Sequence, residues 1–171
     1  MNDPAPRAGP ALVHWMGIAD ANAGGSVHGG TIMKLCDEAA GLVAIRHSHC
    51  RVVTAAVDRM TFLVPVYVGE LVSFFAAVNA VWNTSMEVGV RVEAENPRTG
   101  EVRHTNSAYL TMVALDPDGR PARVPPLTAS TPDAIRREGE AQVRRRNRLA
   151  ERDTLRVARE VEATSEGGSR A

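Results

Sequence analysis

Between His28 and about His47 the chain runs without a proline, and its apolar residues recur at the spacing of a helix. Ile32, Cys36, Ala39 and Val43 fall at i, i+4, i+7 and i+11, on one face of a helix of roughly five turns. Met33, Ala40 and Ala44 widen that face, and Leu35, Leu42 and Ile45 carry it further round the cylinder. A helix this apolar is one enclosed on several sides, so the rest of the chain must supply what wraps it.

The wrapping material follows directly. Arg51 to Leu63, Leu71 to Trp82, Ser85 to Glu95 and Val102 to Leu115 are rich in Val and Thr and read as strands. Turn residues separate them: Val64-Pro65 through Gly69, then Asn96 to Gly100, with Asp116-Pro117-Asp118-Gly119 closing the last. Connections this short predict antiparallel neighbours. An earlier extended segment, Ala11 to Ala19, ends in the Gly-rich loop Asp20 to Ser26. The fold class is therefore α+β: an antiparallel sheet curled around one long central helix. With only 4% aromatic residues, Val, Ala and Leu must fill most of its core.

At 171 residues the chain is the size of one domain. We divide it into a flexible lead-in over 1–10, a core over 11–127 and an arginine-rich helix with a disordered tail over 128–171. Thr131-Pro132-Asp133 supplies a cap, a proline for the first helical position and a first-turn acid, so a helix starts there. We expect it exposed and partly frayed, reaching about Val161, with a disordered end at Gly167-Gly168. Basic and acidic residues balance at 20 each, so no global field draws the chain to nucleic acid or to an anionic membrane. No apolar run is long enough to span a membrane, and the opening MNDPAPRAGP lacks the charged and apolar regions of a signal peptide. We expect a cytoplasmic protein. Cys36 and Cys50 suit a reducing compartment, and no metal-ligand cluster is visible.

Four features carry candidate chemistry. Helical spacing aligns Asp37 with Met33, Ala40, Gly41 and Ala44 on an apolar part of the helix, where a carboxylate must find donors or rise in pKa. It is a candidate base or nucleophile, or else a structural acid paired with an arginine. His28-Gly29-Gly30 opens the helix with two residues lacking side chains. Their amides are an oxyanion hole in prospect, or the glycines answer a need for close packing. Asn22, fifteen residues before Asp37, can orient a water or a carbonyl, or simply make a turn. Arg136 to Arg148 holds six arginines against two glutamates, and Arg144 and Arg145 are candidates for phosphate contacts, although most such runs are solvated faces. Cys36 falls on the core stripe and reads as a packed thiol.

Asp20 to Gly30 followed by Asp37-Glu38-Ala39-Ala40 resembles the acyl-CoA thioesterases of the hotdog fold, in particular the cytosolic acyl-CoA hydrolase branch. Val53-Thr54-Ala55, Asp58, Phe62, Thr84-Ser85-Met86-Glu87, Val113-Ala114 and Asp118-Gly119-Arg120-Pro121 agree with that branch in order and spacing. The resemblance covers about residues 11–127. It implies hydrolysis of acyl-CoA thioesters without metal or cofactor, with Asn22 and Asp37 catalytic and Gly29 and Gly30 holding the oxyanion. Substrate contacts would come from His28, Thr54, Ser85, Arg144 and Arg145. It further implies a homodimer whose active sites pair the Asn of one chain with the Asp of the other, assembled as a trimer of dimers, with neither nucleic acid nor membrane as partner. Two residues depart from the branch: His28 stands where an aromatic is commoner, and small residues follow Asn22. A non-catalytic acyl-CoA sensor of the same fold is the competing reading. A hotdog dehydratase is not supported, because its Asp-x-Asn-Pro-x-x-His arrangement is missing.

Overall fold

A computed structural model describes residues 9–167. Five strands form one antiparallel sheet in the order β1-β3-β4-β5-β2. They are β1 (Leu12–Trp15), β2 (Arg51–Phe62), β3 (Leu71–Val81), β4 (Ser85–Glu95) and β5 (Val102–Leu115). The long helix α1 (Gly29–Ser48) lies within the curl, and α2 (Pro132–Gly167) follows the last strand. The helix α1 and strands β2 to β5 therefore stand where periodicity places them, within a residue or two, whereas the extended segment expected over Ala11 to Ala19 is a strand only to Trp15, a short 3-10 turn following at Ile18–Asp20.

Small residues bring the helix close to the sheet. Ala39, Ala40 and Ala44 are fully buried and meet Phe74, Met86, Val88, Val92, Leu110 and Met112. Along β4 these inward residues alternate with Glu87, which points to the opposite face. At its C-terminus α1 stops in left-handed His49 (φ 55°), whose amide reaches back to the Ile45 carbonyl at 2.8 Å.

Three expectations change. First, β2 and β3 are not neighbours. The segment 63–70 crosses the end of the barrel-like curl, leaving β2 paired with β5 alone and long at the sheet edge. Second, α1 is not covered all round: Met33, Leu42 and Ile45 are exposed, because the single sheet wraps one side and leaves an apolar flank open. Third, α2 is exposed over most of its described length, as expected, but longer than expected. Thr131 caps it, its Oγ accepting from the Ala134 amide at 3.1 Å. The helix then runs past Val161 to Gly167, supported by i,i+4 pairs such as Arg136 with Glu140 (2.7 Å) and Arg156 with Glu160 (3.4 Å). Gly168 and residues 1–8 lie outside the described residues.

Candidate active site

The loop before α1 is built on Asn22. Its Oδ1 accepts from the amides of Gly24 (2.8 Å) and Ser26 (3.3 Å), and its Nδ2 donates to Ser26 Oγ (2.9 Å) and to the Val27 carbonyl (3.5 Å). In the single chain its side chain thus makes the turn, and no hydrogen bond joins it to Asp37 among the described residues.

His28 is the N-cap of α1. The Gly30 amide donates to His28 Nδ1 at 2.9 Å, which requires that nitrogen to be unprotonated. A Cβ on Gly30 would sit 2.9 Å from the same nitrogen, so this glycine exists to admit the imidazole. The expectation of two bare amides is corrected accordingly: Gly30 is engaged. Gly29, the first helical residue, has an N–H without a partner among the described residues, and a Cβ there would touch the Phe62 ring at 3.4 Å.

Asp37 is not on the buried stripe. It is exposed, on the flank of α1 that faces β2. Its partner is Thr54 rather than an arginine: the Thr54 hydroxyl donates to Asp37 Oδ1 at 2.5 Å, beside Met112 Sδ at 3.5 Å. A helix carboxylate held by one strand hydroxyl keeps its second oxygen unencumbered, which suits proton abstraction or attack. Next to it Cys36 faces the core as expected, and burial, with the charge of Asp37 adding, pushes its thiol up to about 12. That thiol is no nucleophile.

The remaining candidates are not gathered here. Ser85 shares the face of Glu87, away from α1, and its hydroxyl has no partner among the described residues. Arg144 is a docking residue: it forks onto the fully buried Glu87 at 2.7 and 3.0 Å and stacks 3.7 Å from the centroid of Tyr109. Arg148 likewise pairs with Asp58. Arg145 lies 4.3 Å over the Trp82 ring, and burial, with Arg148 nearby, lowers its pKa. These contacts pin α2 to the outer face of the sheet, because Glu87 and Asp58 would otherwise be buried charges without a partner.

Two cavities flank α1. The larger, about 1050 Å³, lies at its C-terminal end against Val43, Arg46, Arg51, Val78 and Arg137, remote from Asp37. The smaller, about 300 Å³, opens beside Gly29 and is lined by Val27, Ile32, Phe62, Val66 and Asn106. Asn106 drew no attention in the sequence. A polar residue at an inward position of β5, among Ala108, Leu110 and Met112, is the signal that was there to find.

Residues 24–101 match the family model of the thioesterase superfamily. Protein VdlD of Helicobacter pylori is 42% identical over 117 residues, 68% of this chain and 67% of its own length. A Zymomonas mobilis protein described as an uncharacterized acyl-CoA thioester hydrolase is 42% identical over 123 residues, covering 72% of this chain and 83% of its own. The cytosolic acyl coenzyme A thioester hydrolase of Homo sapiens is 36% identical over 136 residues, but the chain spans only 36% of that protein. Among solved structures, an apo-hexameric acyl-CoA thioesterase superposes with a TM-score of 0.79 at 35% identity, over 82% of this chain and 90% of the other. The acyl-CoA hydrolase of Staphylococcus aureus, solved with butyryl coenzyme A, coenzyme A and coenzyme A disulfide, gives 0.80 at 30% identity, over 89% and 93%. That hydrolase has also been solved with one asparagine, one aspartate or one threonine replaced by alanine. The three replaced positions are spaced 15 and 17 residues apart, as are Asn22, Asp37 and Thr54.

Proposed function

The chain belongs to the acyl-CoA thioester hydrolases of the thioesterase superfamily, and on that premise we propose that it cleaves acyl-CoA thioesters to a free acid and coenzyme A through Asp37. The observation that carries the reading is the exposed Asp37 carboxylate held by Thr54, in the spacing of the three residues replaced in the staphylococcal hydrolase.

A thioester has a good leaving group, so the site needs an activated attack and a donor for the developing oxyanion. With Thr54 occupying Oδ1, Asp37 Oδ2 takes a proton from water as the oxygen adds to the thioester carbon. The Gly29 amide, at the positive end of α1, receives the carbonyl oxygen as it gains charge. The C–S bond then breaks, and the proton passes to the departing thiolate. Alternatively Oδ2 itself attacks, giving a mixed anhydride that water opens. His28, by capping the helix, fixes the direction of the Gly29 amide.

Asn22 joins this centre in an assembly of two chains. The support is the open apolar flank of α1, the free edge of β2 with its exposed Val53 and Val57, and the absence of an Asn22–Asp37 bond within one chain among the described residues. Pairing β2 edges would join two sheets and bring the Asn22 loop of one protomer toward Asp37 of its partner; three such dimers form the hexamer. A cytoplasmic location completes the reading, supported by the human relative named cytosolic. The core over 11–127 would carry the reaction and the segment 128–171 would brace it.

Thiol release from acyl-CoAs between acetyl and palmitoyl, followed with a thiol reagent, tests the activity. Turnover of at least one chain length is expected. Tight binding without turnover of any would turn the protein into an acyl-CoA sensor.

A further inference from the structure

The slot beside Gly29 is lined mainly by apolar residues, with Ser26, whose hydroxyl accepts from Asn22 Nδ2, at its edge, and it holds two polar groups that lack a partner among the described residues. On the helix wall is the Gly29 N–H. On the sheet wall is Asn106, with 1% of its surface exposed. Asn106 Nδ2 donates to the Thr61 carbonyl at 3.4 Å. Because that carbonyl can only accept, the amide is fixed in orientation, and Oδ1 is left buried with no partner among the described residues. Across the sheet Asn106 faces Val92, and its inward neighbours along β5 are Ala108 and Leu110. An unpaired acceptor in such surroundings is unfavourable, and an apolar side chain would pack there without the penalty.

We propose that this slot receives the acyl group, and that Asn106 Oδ1 accepts a hydrogen bond from a hydroxyl carried on it, making short hydroxyacyl-CoAs the preferred substrates. The inference rests on the hydrolase reading and specifies its substrate class. Position supports it: a thioester oxygen held by Gly29 starts the acyl chain in the slot that Asn106 lines. The volume of about 300 Å³ lies at the small end of ligand pockets, which limits the chain length. Chemistry selects the donor. The slot carries neither a carboxylate to balance an amine nor a cation to receive a second acid, so the matching group is neutral, and a hydroxyl both donates and fits. A site that pairs with a hydroxyl rejects the analogue lacking it, because the analogue leaves the acceptor unmatched.

The test compares kcat/KM for butyryl-CoA and hexanoyl-CoA with their counterparts hydroxylated at C3, at C4 and at the terminal carbon. At least one hydroxylated thioester should exceed its parent by about tenfold or more in the wild-type enzyme. Asn106→Leu should bring that ratio to about one, the loss appearing on the hydroxylated member. Since Asn106→Leu also strips the Thr61 carbonyl of its donor and can weaken the fold, Asn106→Ala takes its place if it does not fold, and equal wild-type ratios overturn the assignment without either variant. Equal cleavage of every pair overturns the assignment and leaves the hydrolase reading standing, as does a preference that survives Asn106→Leu. Release of thiol from none of them overturns the assignment, and the hydrolase reading falls with it only when no acyl-CoA between acetyl and palmitoyl is cleaved either.

Discussion

One oxygen of Asp37 is taken by Thr54 and the other is exposed, so the residue can be removed without opening the core. Asp37→Ala should therefore lower kcat at least about 100-fold while circular dichroism and the urea midpoint hold. Thr54→Ala, which frees the carboxylate to turn but leaves it in place, should cost about tenfold in kcat. An Asp37→Asn variant of full activity would make the acid structural. Asp37 stood out in the sequence because it interrupts an apolar helix, but the part of the helix it shares with Met33 is left exposed by the sheet. Periodicity assigns a residue to a face without saying which face the fold covers. The same limit hid the engagement of the Gly30 amide: that His28 turns back onto its own helix is a matter of one rotamer, invisible in spacing.

At the scale of elements, strands and helices were legible because each obeys a local period, while their neighbours were not. The segment 63–70 is as short as a hairpin loop yet carries the chain across the sheet, since β2 finds its pairing with β5, not with the strand next in sequence. The partners of the α2 arginines were hidden for the same reason. Arg144 and Arg148 look solvated until Glu87 and Asp58 are brought to them, from 57 and 90 residues away. Arg144→Ala leaves the buried Glu87 charge unpaired and should cost about 3 kcal/mol in urea denaturation. KM for acyl-CoA should stay unchanged, because the guanidinium is spent on docking. Replacing both partners, Glu87→Met with Arg144→Met, should recover most of that stability, since neither charge then remains to be desolvated. A rise in KM without a loss of stability would return Arg144 to the phosphates.

In the whole molecule the unfinished parts coincide. The long free edge of β2 with its exposed Val53 and Val57, and Met33, one turn from Asp37 on the uncovered flank of α1 that also exposes Leu42 and Ile45, lie on the side of the Asp37–Thr54 pair. A sheet edge of twelve residues with apolar neighbours is a hazard in a monomer and an interface in a dimer. If two chains meet there, each active site takes Asp37 from one and Asn22 from the other, and the two functions can be separated genetically. Asn22→Ala and Asp37→Ala chains should each be nearly inactive alone. After dissociation and mixing in equal amounts, half the dimers should be mixed, and each mixed dimer should hold one site with both wild-type residues and one with neither. Specific activity should then recover to about a quarter of the wild-type value. Subunit exchange is verified independently by native mass spectrometry of chains of different mass. Exchange without recovery would place Asn22 and Asp37 in the same chain's site, and activity in a sedimenting monomer would remove the need for a partner altogether.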